Sequence, residues 1–399
     1  MKYRLLDLLV CPLCQNRFTL TPLKEETVAF NLPTPEAGCS HCAFAASPAP
    51  AQHCQECYTR NIVEGVLSCS CGTSFPIIDS VPIILPERQQ YLADLQQKYG
   101  SAAGAGDREG NMNDTASAKK LERTKKSFGF EWLRYPVCFA EEEEKIFREE
   151  IQLDVSQLQN KRILDAGCGM GRFTRVAAGF GGEVVGVDLS DSVFRAQEIT
   201  RQFPSAHIVQ ADLLRLPFRE HAFDIIYSFG VLHHTPDTKQ AFCALTRTLK
   251  INGYISLWVY GKAGNYENFI SNPLKQDRAR YLSTPLRHRT YWLLVLLREK
   301  FSSALRMVTI HLPHSLLYFF CYGLTLLGKL PLVKYLTFSV HQDWRVRLLE
   351  NFDWLAPPFQ YHHTKEELMA WFREQHIEVR CMLEHGFIPK TGLAGIRRQ

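Results

Sequence analysis

"LDAGCGMGRFT", Leu164–Thr174, places Gly167, Gly169 and Gly171 at alternate positions behind Asp165. An apolar run, "RILDAG", precedes it and a helical pattern follows, so the stretch reads as a strand turning sharply into a helix. Glycines there allow left-handed backbone and let a ligand approach the exposed N–H groups of the helix start. A glycine pattern alone is weak evidence. It gains weight from "EVVGVDLS", where a second strand ends in Asp188 about twenty residues on, and from "HIVQAD", where a third ends in Asp212. Three carboxylates at strand C-termini lie where open α/β sheets bind ligands.

Working outward, the β-rich runs "RILDAG", "EVVGVDLS", "HIVQAD", "FDIIYSFG" and "YISLWVY" alternate with helical patterns. That order predicts βαβ units, a parallel sheet and helices on both faces, a Rossmann-like α/β layer architecture. Ahead of it, "AEEEEKIFREEIQL" spaces Ile146, Phe147 and Ile151 for one helix face. "KYGSAAGAGDREGNMNDTASAKK", Lys98–Lys120, is poor in anything that forms a core and reads as part of a linker. The regular alternation stops after Tyr260 and resumes with "TKEELMAWFREQHIEVRCML". The predicted organisation is a cysteine-rich module at 1–86, a linker at 87–126, the sheet core at 127–262, a helical insertion or lid at 263–360, and a final helix and strands at 361–399.

With 399 residues, 46% hydrophobic and 22% charged, the composition is globular. A net charge of +5 is too small for the whole chain to read as a nucleic-acid binder. No small-residue cleavage site follows the first ten residues, which is not the pattern of a signal peptide. Thirteen cysteines then suggest thiolates in a reducing cytoplasm. Eight of them fall in pairs, Cys11/Cys14, Cys39/Cys42, Cys54/Cys57 and Cys69/Cys71. Tetrahedral zinc takes four thiolates, so the pairs fit two ions. A nested scheme closes one site with Cys11, Cys14, Cys69 and Cys71 and a second with Cys39, Cys42, Cys54 and Cys57. Two such ions would staple a module too small for a good core.

"LLDLLVCPLC", "LSCSCG" and "FPIIDSVPIIL" resemble the two ends of Trm112-like zinc ribbons, with Ser80 where that family usually has glycine. From D-x-G-x-G-x-G through "VVGVDLS", "ADLLRLPF" and "FDIIYSFGVLHH", the chain resembles class I S-adenosylmethionine-dependent methyltransferases of the type 11 group. The resemblance implies that Gly167, Gly169 and Gly171 border the methionine part of that cofactor and Asp165 its amino group. It places Asp188 on the ribose and Asp212 with Leu213 on the adenine, with Leu189 and Phe229 completing the set. NAD binding would instead call for G-x-G-x-x-G.

Methyl transfer from a sulfonium needs positioning above all, and a base chiefly when the acceptor is a hydroxyl. The candidates for that base are His233 and His234, after the fourth strand, and His363, before a helix that Thr364 and Glu367 would cap. On an extended segment, adjacent histidines point to opposite sides, so His234 is expected to face the site and His233 to cap or meet solvent. "SFGFEWLRYP", Ser127–Pro136, either closes over the cofactor or anchors the linker.

Lys275–Arg347 holds twelve Lys or Arg and three acids. "SLLYFFCYGLTLLG" within it spans only about 21 Å as a helix, short of a bilayer. Such a segment suits contact with anionic lipid, a lid over an apolar acceptor, or simple packing on the sheet edge. The acceptor implied is a small molecule, a sugar or a lipid-linked group. Alternatives are a macromolecular substrate, RNA or protein, docked by the ribbon, and an interaction protein that binds the cofactor without catalysis. The aromatics do not interleave with the basic residues as nucleic-acid binding favours.

Overall fold

The computed structural model describes residues 1–28, 57–100, 116–134, 140–262, 297, 300–328, 343–383 and 390–399. Eleven strands form one sheet: β1 (Phe18–Thr27), β2 (Arg60–Cys69), β3 (Ser74–Ile78), β4 (Val81–Ile84), β5 (Arg162–Ala166), β6 (Glu183–Asp188), β7 (Ala206–Ala211), β8 (Phe223–Phe229), β9 (Leu249–Tyr260), β10 (Ile377–Leu383) and β11 (Lys390–Arg397). Their order is β1-β2-β3-β4-β7-β6-β5-β8-β9-β11-β10. The five strands β7-β6-β5-β8-β9 are parallel, and β11 and β10 close that end antiparallel.

The labelled helices are α1 (Gln89–Tyr99), α2 (Ala116–Trp132), α3 (Ala140–Ile151), α4 (Arg172–Gly179), α5 (Ser192–Thr200), α6 (Thr238–Thr248), α7 (His314–Leu327), α8 (Trp344–Leu355) and α9 (Lys365–Glu374). Residues 300–309 are also helical. Successive residues of β5 serve opposite faces, as a pleated strand requires. Ile163 packs with Phe147 and Ile151 of α3 and Phe173 of α4, whereas Leu164 packs into the cluster holding Phe242 of α6 and Phe372 of α9. The expected helix face of Phe147 and Ile151 is fully buried. The expected capping box is also present, Thr364 Oγ1 accepting from Glu367 N and Glu367 returning the bond to Thr364 N.

The cysteine-rich end is not a detached module. β4 pairs in parallel with β7, Ile83 opposite Gln210 and Ile84 opposite Ala211, so the ribbon's strands extend the central sheet. Leu5, Leu8, Leu9, Ile62 and Phe75 share one apolar cluster with Val209, Ala211 and Phe218. Lys2 Nζ donates to the carbonyls of Phe203 and Ala206, each at 2.8 Å. Arg4 clasps Glu183 at two points, 2.7 and 3.1 Å, and Tyr58 OH adds a third bond at 3.0 Å. Burial opposes ionisation of Glu183, but His207 and Arg4 outweigh it and hold its pKa well below the carboxylate range.

The expected linker at 87–126 is corrected in part. It contains α1 and the first turns of α2, which packing rather than composition stabilises: Thr124, Ser127 and Gly129 of α2 are buried. Ser80, where glycine was expected, has φ +70, as a left-handed turn demands. Its hydroxyl accepts a bond from Asn61 Nδ2 at 2.8 Å.

Candidate active site and cysteine cluster

The sheet order sets β7, β6 and β5 side by side, so Asp212, Asp188 and the glycine turn follow one another along a single edge. Gly167, Gly169 and Gly171 have φ of +86°, +53° and +83°. A Cβ on Gly167 would lie 2.3 Å from Val231, and one on Gly171 2.9 Å from Ala196, so these two positions exclude a side chain on space as well as torsion. Asp165 is buried and accepts from Thr174 Oγ1 at 2.6 Å; burial pushes its pKa up to about 7. Asp188 accepts from Gly169 N–H at 2.9 Å, from Ser190 N–H at 2.8 Å and from the Ser190 hydroxyl at 2.7 Å. Asp212 accepts from Leu214 N–H at 2.9 Å. Burial raises the pKa of both carboxyls. Leu189 O and Asp191 are tied to Gln210 Nε2, Leu213 is buried in the core, and Phe229 joins the rings of Phe147, Phe173 and Tyr227. Carboxylates beside a glycine turn and a helix N-terminus can hold a sugar's hydroxyls and a ligand's ammonium group, so the donor set fits S-adenosylmethionine.

Two helices from outside the sheet lie over this edge. A Cβ on Gly129 of α2 would lie 3.7 Å from Asp191 N and 3.8 Å from Ser190 Cβ, Trp132 packs on Gly169 at 3.2 Å from its absent Cβ, and Arg195 donates to Trp132 O and Leu133 O. From α8, Val346 and Leu349 pack on Met170 of the turn. The described part of the aromatic stretch, 127–134, therefore does cover the glycine turn, and its second ring, Phe130, stacks on Phe352 of α8 at 5.3 Å, while Tyr135 and Pro136 lie outside the described residues.

The histidines depart from expectation. Leu232–His234 is a 3-10 turn, not an extended segment, so both rings lie inside, 4.1 Å apart. Both are buried. His233 Nδ1 accepts from Tyr260 N at 3.3 Å and its ring lies 3.8 Å from that of Tyr260; burial and His234 keep its pKa well below the ordinary value. His234 Nδ1 donates to Phe359 O at 2.8 Å, which leaves the Nε2 lone pair free; burial pushes its pKa down to about 3. That Nε2 faces Asp353 Oδ1 of α8 at 3.9 Å. Oδ1 is shielded and has no hydrogen-bond partner among the described residues, while Oδ2 accepts from Tyr260 OH at 3.0 Å. Burial pushes the Asp353 pKa up to about 7. Glu131 of α2, also buried, is held well above the carboxylate range by that burial and then by Asp353 and Glu350.

The second histidine pair reaches the same place from the far end of the chain. Tyr361 N donates to His233 O, His363 N donates to Tyr260 O, and the His362 ring sits 5.8 Å from Tyr260. The His363 ring turns away onto Trp371 and Glu367. Asp353 and Glu131 were invisible in the sequence, since no spacing links them to the glycine turn and only α8 and α2 bring them near it.

At the opposite end, the sulfurs of Cys11, Cys14, Cys69 and Cys71 lie within 4.8 Å of one another. The Cys11–Cys71 separation is 3.8 Å, matching the edge of a tetrahedron with metal–sulfur bonds of about 2.3 Å. This cluster can hold a metal ion. Cys39, Cys42 and Cys54 lie outside the described residues, and Cys57 is buried in the ribbon's apolar cluster.

Residues 164–257 match a family model described as a methyltransferase domain, and residues 2–80 one described as a Trm112p-like protein. Among curated proteins, the demethylmenaquinone methyltransferases of Staphylococcus aureus (strain MRSA252) and Staphylococcus haemolyticus (strain JCSC1435) are 27% and 32% identical over 148 and 119 residues. Those alignments take in 36% and 29% of this chain and span 61% and 49% of the relatives' lengths. A magnesium protoporphyrin IX methyltransferase from Synechocystis PCC 6803, solved with bound SAH, is 15% identical with a TM-score of 0.38, covering 70% of this chain and 99% of that one. A complex of the Haloferax volcanii Trm112 methyltransferase activator with a methyltransferase is 12% identical with a TM-score of 0.35, covering 65% and 94%.

Proposed function

For a chain that carries a methyltransferase domain joined to a Trm112-like domain, we propose methyl transfer from S-adenosylmethionine to a small apolar or lipid-linked acceptor. The observation that carries this reading is the convergence of Asp165, the three left-handed glycines, Asp188 and Asp212 on one sheet edge. When bound there, the donor supplies a methyl group already activated on a sulfonium. Asp188 would then hold the ribose, Asp165 the ammonium group, and Asp212 with Leu213 the adenine.

The acceptor would lie between this edge and the cover formed by α2 and α8. His234 is neutral at pH 7 and burial makes it a weak base, so its Nε2 lone pair suits accepting a hydrogen bond that orients an acceptor O–H or N–H, more than taking the proton outright. Asp353, whose Oδ1 that nitrogen faces at 3.9 Å and whose pKa is pushed up to about 7, is the better matched group to receive or return the proton. His233 and His363, the other candidate bases, have ring contacts that suit them to positioning the loop and α9.

The ribbon belongs to this reading as a fixed edge of the enzyme. Its β4 strand is spent on its own β7, which favours an internal structural role over docking of RNA or another protein. Zinc is the proposed ion at Cys11, Cys14, Cys69 and Cys71, with the inner cysteines as a second site.

The test is calorimetric binding of S-adenosylhomocysteine to the full chain. The wild type is expected to bind, and Asp188→Ala to bind at least tenfold more weakly, since about 1.5–3 kcal/mol rides on a hydrogen bond to a charged group. No binding by the wild type, or equal binding by the variant, overturns the assignment. The same preparation is expected to contain at least one zinc per chain; none would reject the metal site.

A further inference from the structure

α7 is uncharged and has large apolar side chains on both its inner and its outer face. None of its fourteen residues is Lys, Arg, Asp or Glu. Its inner face, through Leu317 and Cys321, is buried against Leu348, Phe352 and Trp354. Its outer face exposes Leu316, Phe320, Leu326, Leu327 and above all Phe319, which is 74% accessible. A helix with large apolar side chains on both faces is one with something to bury on both sides. Nor is this exposure scattered: of sixteen exposed large hydrophobic residues among the described ones, eleven lie between Leu297 and Trp344.

Positive charge flanks the same surface. The first half of α2 carries Lys119, Lys120, Arg123, Lys125 and Lys126 against the single acid Glu122. Arg123 donates to Leu312 O, and Ser127 Oγ lies 3.0 Å from His314 Nε2, so this basic stretch is fixed beside the start of α7. We propose that the outer face of α7, with the basic half of α2, seats on the surface of an anionic lipid bilayer. This deepens the reading of an apolar or lipid-linked acceptor and takes its purpose from that reading.

Charge selects this occupant over a second copy of the chain. Pairing two copies through this face would bring two basic stretches together, whereas anionic headgroups complement them, roughly fivefold in partitioning for each basic residue near the surface. The helix is too short to span a bilayer, and no helix among the described residues is long and apolar enough to do so. It therefore lies in the interface plane with its apolar side chains among the acyl chains. Behind it, Tyr318 meets Phe130 at 5.5 Å, Phe130 meets Phe352, and Trp354 stacks on Tyr260 at 5.0 Å. This buried and half-buried aromatic packing joins the membrane-facing helix to the His234 loop.

The test is co-sedimentation of the full chain with phosphatidylcholine vesicles and with vesicles also containing phosphatidylglycerol. Binding is expected to the anionic vesicles, weaker in high salt and weaker to phosphatidylcholine alone. Phe319→Glu is expected to lower it about tenfold or more, and Lys120→Glu to reduce its salt dependence, both with S-adenosylhomocysteine binding retained as evidence of folding. Lack of sedimentation by a cofactor-competent wild type overturns the proposal. So does wild-type sedimentation of Phe319→Glu, or a solution dimer that Phe319→Glu dissociates. Vesicle binding without S-adenosylhomocysteine binding would uphold the surface and count against the methyl-transfer reading.

Discussion

The parallel sheet is joined to its surroundings in two different ways. At the ribbon, the seam is polar and directional: a strand ladder, the Lys2 ammonium on two carbonyls and the Arg4 guanidinium on Glu183. At the lid, it is chiefly aromatic: Phe130 on Phe352, Phe128 on His234, Trp354 on Tyr260. Shifting the first seam by an ångström strands buried charges and N–H groups, each at a cost of kilocalories. Rings and aliphatic side chains in the second can slide and repack with far smaller penalties. The ribbon is thus built to hold one position, and the lid to change its fit.

Removing a partner from the polar seam breaks this contrast most severely. Arg4→Met leaves the Glu183 carboxylate buried without its guanidinium, and a loss of about 3–5 kcal/mol is expected in urea unfolding of the whole chain. A loss below about 1 kcal/mol would mean the clasp is not what fixes the ribbon. Acid should come next. His207, in the same seam, has its pKa lowered by burial to about 4, against an ordinary value near 6.5. The unfolded chain therefore takes up a proton that the folded one refuses. The contribution of His207 is full above pH 6.5 and falls as pH drops toward 4, by about 3 kcal/mol. Glu183, whose pKa is depressed, adds its own loss below its ordinary value. A His207→Asn variant whose melting temperature changes between pH 6.5 and 4 as much as the wild type's contradicts this. The smallest effect is on the native state alone. Amides of α7 and α8 are expected to exchange hydrogen at least tenfold faster than those of β7, through local opening. Equal protection would erase the distinction between the two seams.

Much of the site was legible because its chemistry is local. Gly167, Gly169 and Gly171 need left-handed torsions within one turn, and Asp188 and Asp212 follow at strand ends that hydrophobic runs mark plainly. The outer cysteine pairs were readable for the same reason. What stayed hidden depends on partners far off in sequence. The Gly- and Ser-rich stretch before α2 disguised a helix that is held by burial of Ser127 and Gly129. β4 gave no hint of β7, since parallel pairing leaves no short-range signature. The histidines were read on strand geometry, whereas a tight 3-10 turn swings both rings inward. Asp353 became a neighbour of His234 only through α8, a helix with no motif of its own.

The pairing of β4 with β7 also bears on the order in which the chain can be completed. Ile83 cannot pair with Gln210, the Arg4 side chain cannot clasp Glu183, and Lys2 Nζ cannot reach the carbonyls of Phe203 and Ala206 until those residues have been made. In synthesis the ribbon emerges before the parallel sheet and is satisfied late. Four thiolates between Cys11 and Cys71 that can close on a metal ion give it a means of staying ordered during the wait.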